Sequence, residues 1–252
     1  MKICHFSFME NQFVLLTFGA VSAGYADDQA PEKKRFSNET SVSLVNTTGN
    51  TDTLSLAGKN EMKYIFSEKW VGSWVAGAIY NEADGIKETE RYYTDLRADY
   101  SIDERWYCYG LGSWFQDKFS GFDHRVGIGP GLGYRFLIGP AHFLSLEGGL
   151  NYTYEDYSDP EEDDDQFLEG RLYGKYEWVF TEKTKFSQGL EYLQSWEDID
   201  TWKLNSETAL ITSLTDILAL KISYTVLYNN NPIPSELKKT DTIFATSMVI
   251  GF

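Results

Sequence analysis

"FLEGRLYGKYEWVF", residues 167–180, alternates with a period of two. Leu168, Leu172, Tyr176, Trp178 and Phe180 fall on one side, and Glu169, Arg171, Lys175 and Glu177 on the other. A helix repeats about every 3.6 residues and would scatter both sets around its axis, whereas a strand turns successive side chains to opposite faces. The segment therefore predicts a β-strand with an apolar face and a charged one.

The pattern recurs along the chain. "TLSLAGKNEMKYIF" sets Leu54, Leu56, Met62, Tyr64 and Phe66 against Lys59, Glu61 and Lys63. "ILALKISYTVLY" sets Leu218, Leu220, Ile222, Tyr224, Val226 and Tyr228 against Lys221, Ser223 and Thr225. Strands are expected over 36–48, 53–66, 70–82, 90–102, 106–118, 124–137, 141–157, 166–180, 184–197, 201–213, 216–230 and 240–252. The faces of 70–82 and 106–118 are ambiguous, because both mix small and aromatic residues on each side. Turns after the even strands are tight ("SEK", "DER", "IGP", "TEK", "TD"). Several after the odd strands are longer and polar ("EADGIKE", "SDPEEDDD", "EDID", "NNPIPSELKK"). Short turns on one rim and longer loops on the other mark a transmembrane barrel with its short side in the periplasm. The expected fold is all-β, an antiparallel up-and-down barrel of about 12 strands spanning 36–252 in the outer membrane.

Composition bounds the rest. A net charge of −16 disfavours nucleic acid, whose phosphates would be repelled. No run approaches the roughly 18 apolar residues of a membrane helix. The negative mean hydropathy does not exclude the membrane, since a strand facing lipid on one side needs only every second residue apolar. Residues 1–26 read as a signal peptide: Lys2, the apolar run "FVLLTFGAV", then Gly24 and Ala26 before Asp27. Residues 27–35 would form a periplasmic arm. Cleavage would leave Cys108 as the single thiol, so no internal disulfide is possible. Aromatics make up 16 % of the chain, many near expected strand ends: Tyr64, Trp70, Tyr92, Tyr100, Trp106, Tyr134, Tyr154, Trp178, Trp196, Trp202 and Tyr228. Aromatics favour any strand, but rings with a polar edge also settle at headgroup level as barrel girdles.

The chain ends on "TDTIFATSMVIGF". A lipid-exposed sheet edge is intolerable, so the last strand must pair with the first. Phe244, Met248, Ile250 and Phe252 resemble the terminal signal read by the barrel-assembly machinery. Further stretches are "GNTDT" at 49–53, "EADG" at 82–85, "ERY" at 90–92, "FSGFDHR" at 119–125, "GLGYR" at 131–135, "YEDY" at 154–157, "SETAL" at 206–210, "LALKISY" at 218–224 and "KKTDT" at 238–242. With these the chain resembles the salt-induced outer membrane proteins, a family filed as a domain of unknown function. The resemblance implies an outer-membrane barrel responsive to salt or acid in some members, and no agreed activity, substrate or catalytic residue.

Candidate chemistry is sparse. Asp123 and His124 adjoin on one strand and so point to opposite faces, which keeps them from sharing a proton. His142 has no evident serine partner for a lipase-like triad. No catalytic residue, metal or cofactor is expected. "DPEEDDD" at 159–165 is a self-repelling, solvated loop, with weak binding of divalent cations as the sharper alternative. The inward charges carry more. Acids are Glu61, Asp95, Asp99, Glu147, Glu155, Glu169, Glu177, Glu191, Glu207 and Asp241; bases are Lys59, Lys63, Arg91, Arg97, Arg125, Arg135, Arg171, Lys175, Lys203 and Lys221. Ten against ten suggests cross-strand ion pairs that fill or narrow the lumen, because an unpaired buried charge costs several kcal/mol. Gly127, Gly129, Gly131 and Gly133 are expected on the same inner wall. There they leave either open space or a slot for bulky neighbours, with Trp114 a candidate to fill it. Pro130 removes a ladder donor and predicts a bulge or a water-bridged bond.

These features support a monomer in contact with outer-membrane lipid and lipopolysaccharide. It would be a narrow, weakly selective channel, or alternatively a closed structural barrel acting through acidic extracellular loops. A membrane hydrolase is the third reading.

Overall fold

The computed structural model describes residues 35–47, 53–83, 86–117, 122–157, 164–231 and 239–251. Twelve strands form: β1 (Phe36–Thr47), β2 (Thr53–Ile65), β3 (Trp70–Ala83), β4 (Ile86–Ser101), β5 (Trp106–Asp117), β6 (Phe122–Ile138), β7 (His142–Tyr157), β8 (Asp165–Thr181), β9 (Thr184–Ser195), β10 (Trp202–Ser213), β11 (Leu218–Asn229) and β12 (Thr240–Gly251). Each pairs antiparallel with its chain neighbours, and β1 pairs with β12 to close the barrel. The signal-peptide reading, Phe252 and most of the acidic 159–165 loop lie outside the described residues.

The tight turns share one device. Ser67 Oγ accepts from the Trp70 N–H, Asp103 Oδ1 from Arg105 and Trp106, Thr181 Oγ1 from Lys183 and Thr184, and Thr215 Oγ1 from Ile217 and Leu218. A short polar side chain at the head of each turn meets backbone donors that the ladder leaves over. The β6–β7 turn instead uses Gly139, whose φ of +105° suits glycine.

Alternation gives the barrel its two surfaces. Leu172 is 61 % exposed and Phe244 67 % exposed; Leu96, Ile128, Leu132 and Met248 also face outward, as their apolar character in lipid requires. Aromatic pairs border this band. Trp70–Tyr100 and Trp106–Tyr134 sit at the short-turn rim, with centroids 5.0 and 4.8 Å apart, and Trp202–Tyr228 at the other rim, 4.9 Å. The two ambiguous strands resolve: Val75 of β3 and Tyr107, Tyr109 and Phe115 of β5 are buried inside.

Three expectations change. β3 and β4 run on through most of "EADGIKE", so only residues 84–85 lie between them, with a register shift at Asn81/Glu82. The β6–β7 ladder skips Gly129 and Pro130 yet keeps its register, so no bulge forms at the proline; the shifts fall at Phe122/His124 and Arg135/Leu137 instead. Trp114 pairs opposite Val126, on the outer face, and does not fill the glycine wall.

Candidate functional site: the charged lumen

Tyrosine fills half of the glycine wall, at Gly131 and Gly133, while Gly127 and Gly129 lie against Ser113, Asn151 and the Leu150 carbonyl. Tyr107 faces Gly133 and Tyr109 faces Gly131 across the β5–β6 ladder, and a Cβ on either glycine would collide with the opposing ring. The missing side chains let both phenols lie over β6 and reach further into the lumen, where their hydroxyls meet charge.

A buried network crosses the barrel at this level. Glu147 of β7 receives Arg97 of β4 in a two-point contact (Nη2 to Oε1 2.7 Å, Nη1 to Oε2 3.2 Å), although β5 and β6 lie between them in the wall. The same carboxylate accepts from Arg171 Nη1 at 2.9 Å and from the Tyr107 hydroxyl at 2.9 Å. Arg97 also donates to Asp99 (2.7 Å). Arg171 donates to Glu191 through Nε (2.7 Å) and to the Tyr109 hydroxyl (2.9 Å). Asn205 Nδ2 donates to the second oxygen of Glu191 at 3.2 Å. The Arg97 guanidinium stacks over the Tyr109 ring at 4.3 Å, and Arg171 lies 4.8 Å from the Tyr173 ring. Planar guanidinium groups suit this role, since each can engage two carboxylates and an aromatic face at once.

Other predicted residues pair within a strand or between neighbouring strands, Lys59–Glu61 (3.3 Å), Arg125–Glu155 (3.0 Å), Lys175–Glu177 (3.3 Å) and Lys221–Glu207 (2.5 Å), while Lys203 of β10 reaches past β9 to Glu169 of β8 (3.5 Å). Arg135 donates to the Glu104 carbonyl at 3.2 Å and lies 4.5 Å from the Tyr107 ring. Arg91 is buried and Lys63 half-buried. Asp241 lies in β12 opposite Leu227. Asp95 is not drawn into the network: it is 2 % exposed, and neither carboxylate oxygen has a hydrogen-bond partner among the described residues.

The network separates cavities. Toward the periplasm lies a vestibule of 430 Å3, whose wall includes Lys59, Glu61, Lys175, Glu177, Glu207 and Lys221. On the other side a pocket of 60 Å3 is bounded by Asp95, Arg125, Glu169, Arg171 and Glu191. Tyr107, Tyr109, Tyr173 and Asn205 complete the site, and the charge pattern alone does not point to them. Their available signal was the register: tyrosines of β5 opposite glycines of β6.

The histidines stand apart. His124 packs on the Trp114 ring at 5.9 Å on the outer face, and His142 Nδ1 lies 2.8 Å from the Tyr176 hydroxyl at the short-turn rim. In the outer loop, the Tyr154 hydroxyl donates to Asp164 at 2.6 Å.

Comparison with known proteins agrees with this architecture. Residues 24–252 match the family described as "Protein of unknown function, DUF481", and the chain belongs to that family. It is 29 % identical over 231 residues to the uncharacterized protein YdiY of Escherichia coli K12, covering 90 % of this chain and 86 % of that one. Among solved structures, the translocator domain of the autotransporter NalP from Neisseria meningitidis aligns with a TM-score of 0.52 at 13 % identity, over 86 % of this chain and 87 % of that one. The NanC porin aligns at 0.51 and 12 %, over 85 % and 97 %. The COG4313 outer membrane channel from Pseudomonas putida F1 aligns at 0.52 and 11 %, over 86 % and 94 %. These likenesses are of fold. With an apolar exterior, aromatic girdles and a closed ladder, the chain is an outer-membrane β-barrel.

Proposed function

We propose that this barrel is a channel-type protein whose resting lumen is closed at mid-height by the Arg97–Glu147–Arg171–Glu191 network. The observation supporting it is the cross-lumen contact between Arg97 and Glu147, which places ion pairs where a solute would pass. A selective pore presents rings of charge to the ions it conducts. Here the charges face one another, and few donors or acceptors are left for a passing ion. Desolvating each buried ion costs several kcal/mol, so such pairs are a poor source of stability compared with packed apolar residues. Their use lies in closing the bore and fixing strand register. Because acids and bases balance, the opened lumen would discriminate weakly between cations and anions.

The closed geometry equally favours the second reading, a structural barrel working through its acidic outer loops and their weak binding of divalent cations. Neither reading assigns a catalytic role to His124 or His142. Recognition by the assembly machinery is carried in this proposal by Phe244, Met248, Ile250 and Phe252, and a role under salt stress rests on the sequence resemblance to the salt-induced outer membrane proteins alone.

Single-channel recording in planar bilayers tests the reading. The wild type is expected to stay near silent, while Glu147→Ala gives steps that scale with bulk salt. Steady wild-type conductance would overturn the closed lumen, and silence from both proteins would favour the structural barrel.

A further inference from the structure

Where the glycine wall is free of tyrosine, oxygen atoms gather. Gly127 stands in one cross-strand row with Asp95, Ser113 and Thr153, the register running Asp95↔Ser113, Ser113↔Gly127 and Gly127↔Thr153 across β4 to β7. A Cβ on Gly127 would lie 2.6 Å from Ser113 Oγ and 3.3 Å from Asn151 Oδ1, so the absent side chain lets both oxygens face one space. Asn151 directs its Nδ2 to Thr153 Oγ1 (2.9 Å) and Glu169 Oε2 (3.3 Å), which leaves Oδ1 as an acceptor. This space is the 60 Å3 pocket beside the network, and buried Phe115 and Leu193 give it apolar walls.

Asp95 lines the same pocket. It is 2 % exposed, and neither carboxylate oxygen has a hydrogen-bond partner among the described residues. The other charges at the pocket are matched: Glu169 by Lys203 at 3.5 Å, Glu191 by Arg171 at 2.7 Å, and Arg125 by Glu155 at 3.0 Å. One negative charge is left over. A carboxylate buried against apolar walls is strongly disfavoured unless a positive charge comes to it.

We propose that this pocket binds one monovalent metal cation of the sodium class, held by the Asp95 carboxylate with Ser113 Oγ, Asn151 Oδ1 and water. Oxygen donors suit a hard cation. A single positive charge balances the surplus, whereas a divalent ion would leave excess positive charge beside Arg125 and Arg171. Among the described residues, no three carboxylate, imidazole or thiol groups come together as a metal site of the usual kind. The volume accommodates an ion with about one water, which takes about 30 Å3 in the liquid. Arg125 Nη1 also has no hydrogen-bond partner among the described residues, and it donates to that water. With the cation in place Asp95 does not compete for Arg97 and Arg171, which stay with Glu147. The site would stand in an open lumen as well as a closed one, and bilayer conductance reads that question separately.

Sodium-dependent melting tests the site. Purified protein in detergent is unfolded thermally at constant ionic strength, with sodium chloride replaced stepwise by N-methylglucamine chloride, whose cation is too large for the pocket. Tm of the wild type should rise saturably with sodium, by about 4–8 °C once sodium exceeds its dissociation constant about thirtyfold. Asp95→Asn should show no sodium dependence, and because it removes a charge rather than stranding one, it is expected to fold. Ser113→Ala should keep the rise but move its midpoint to about tenfold higher sodium. A wild-type Tm that ignores sodium would overturn the site and leave Asp95 to water or a proton. So would an Asp95→Asn protein that responds like the wild type, which would make the effect one of general salt. Magnesium that replaces sodium at equal ionic strength would overturn the monovalent assignment.

Discussion

Removing the charge of Glu147 should destabilise the barrel more than any other single change to the network. Its carboxylate accepts four hydrogen bonds, two from Arg97 and one each from Arg171 and Tyr107. Hydrogen bonds to charged groups contribute about 1.5–3 kcal/mol each, so a naive sum approaches 10 kcal/mol. That sum overshoots, because Arg97 keeps Asp99, and Arg171 keeps Glu191 and Tyr109. Breaking one member out of a buried ion pair costs about 3–5 kcal/mol, and Glu147→Gln retains a carbonyl acceptor, so about 3 kcal/mol is expected. At roughly 2–4 °C per kcal/mol for a chain of this size, Tm should fall by about 6–12 °C. Thermal unfolding in detergent, followed by circular dichroism and by heat-modifiable gel mobility, measures it. Arg97→Met with Glu147→Met should cost less than the two single changes added, with a coupling of about 2 kcal/mol, since removing both partners leaves less charge stranded. Additivity within about 0.5 kcal/mol, or a Glu147→Gln protein melting with the wild type, would refute the network as an energetic unit.

Two further outcomes follow from the same geometry. Gly133→Ala should cost about 1–3 kcal/mol, because its Cβ meets a Tyr107 ring already held by Glu147, whereas Gly112→Ala, with open space at the Cβ, should melt close to the wild type; equal shifts would sink the account. In the exposed β4–β5 turn, the Trp106 and Arg105 N–H groups hold the Asp103 carboxyl below its ordinary value. A depressed carboxylate stabilises above its unfolded pKa of about 3.9, and that benefit is lost as pH falls through the folded value. The melting difference between wild type and Asp103→Asn should therefore be constant near neutrality and close below about pH 4, and a difference persisting in stronger acid would contradict it.

The fold was legible because lipid imposes a rule on every strand at once. Apolar side chains at every second position, as at Leu168 and Leu172 in β8, state the strand and its outward face without reference to any neighbour. Turn chemistry gave the boundaries: Ser67, Asp103, Thr181 and Thr215 head turns that end strands close to where the alternation breaks. Strand length beyond the membrane was less legible. No lipid rule acts on "EADGIKE", and pairing of polar residues extended β3 and β4 into it.

The site was legible by face and illegible by partner, and the reason is geometric. Alternation says that Arg97 and Glu147 point inward, but they stand 50 residues apart on strands that do not adjoin, so neither local spacing nor the ladder joins them. Tyr107 and Tyr109, lying over Gly133 and Gly131, carry their hydroxyls to Glu147 and Arg171, a placement that alternation alone does not give. Balanced sequence charge consequently describes both a hydrated channel and a sealed one. Asp95 marks the difference: a counting of signs pairs it with a base, whereas it lies buried with no hydrogen-bond partner among the described residues while Arg97, two residues on, takes Asp99 and Glu147. Packing rather than composition therefore decides whether charge lines a path or blocks it, and the contact across the bore is the feature on which that decision turns.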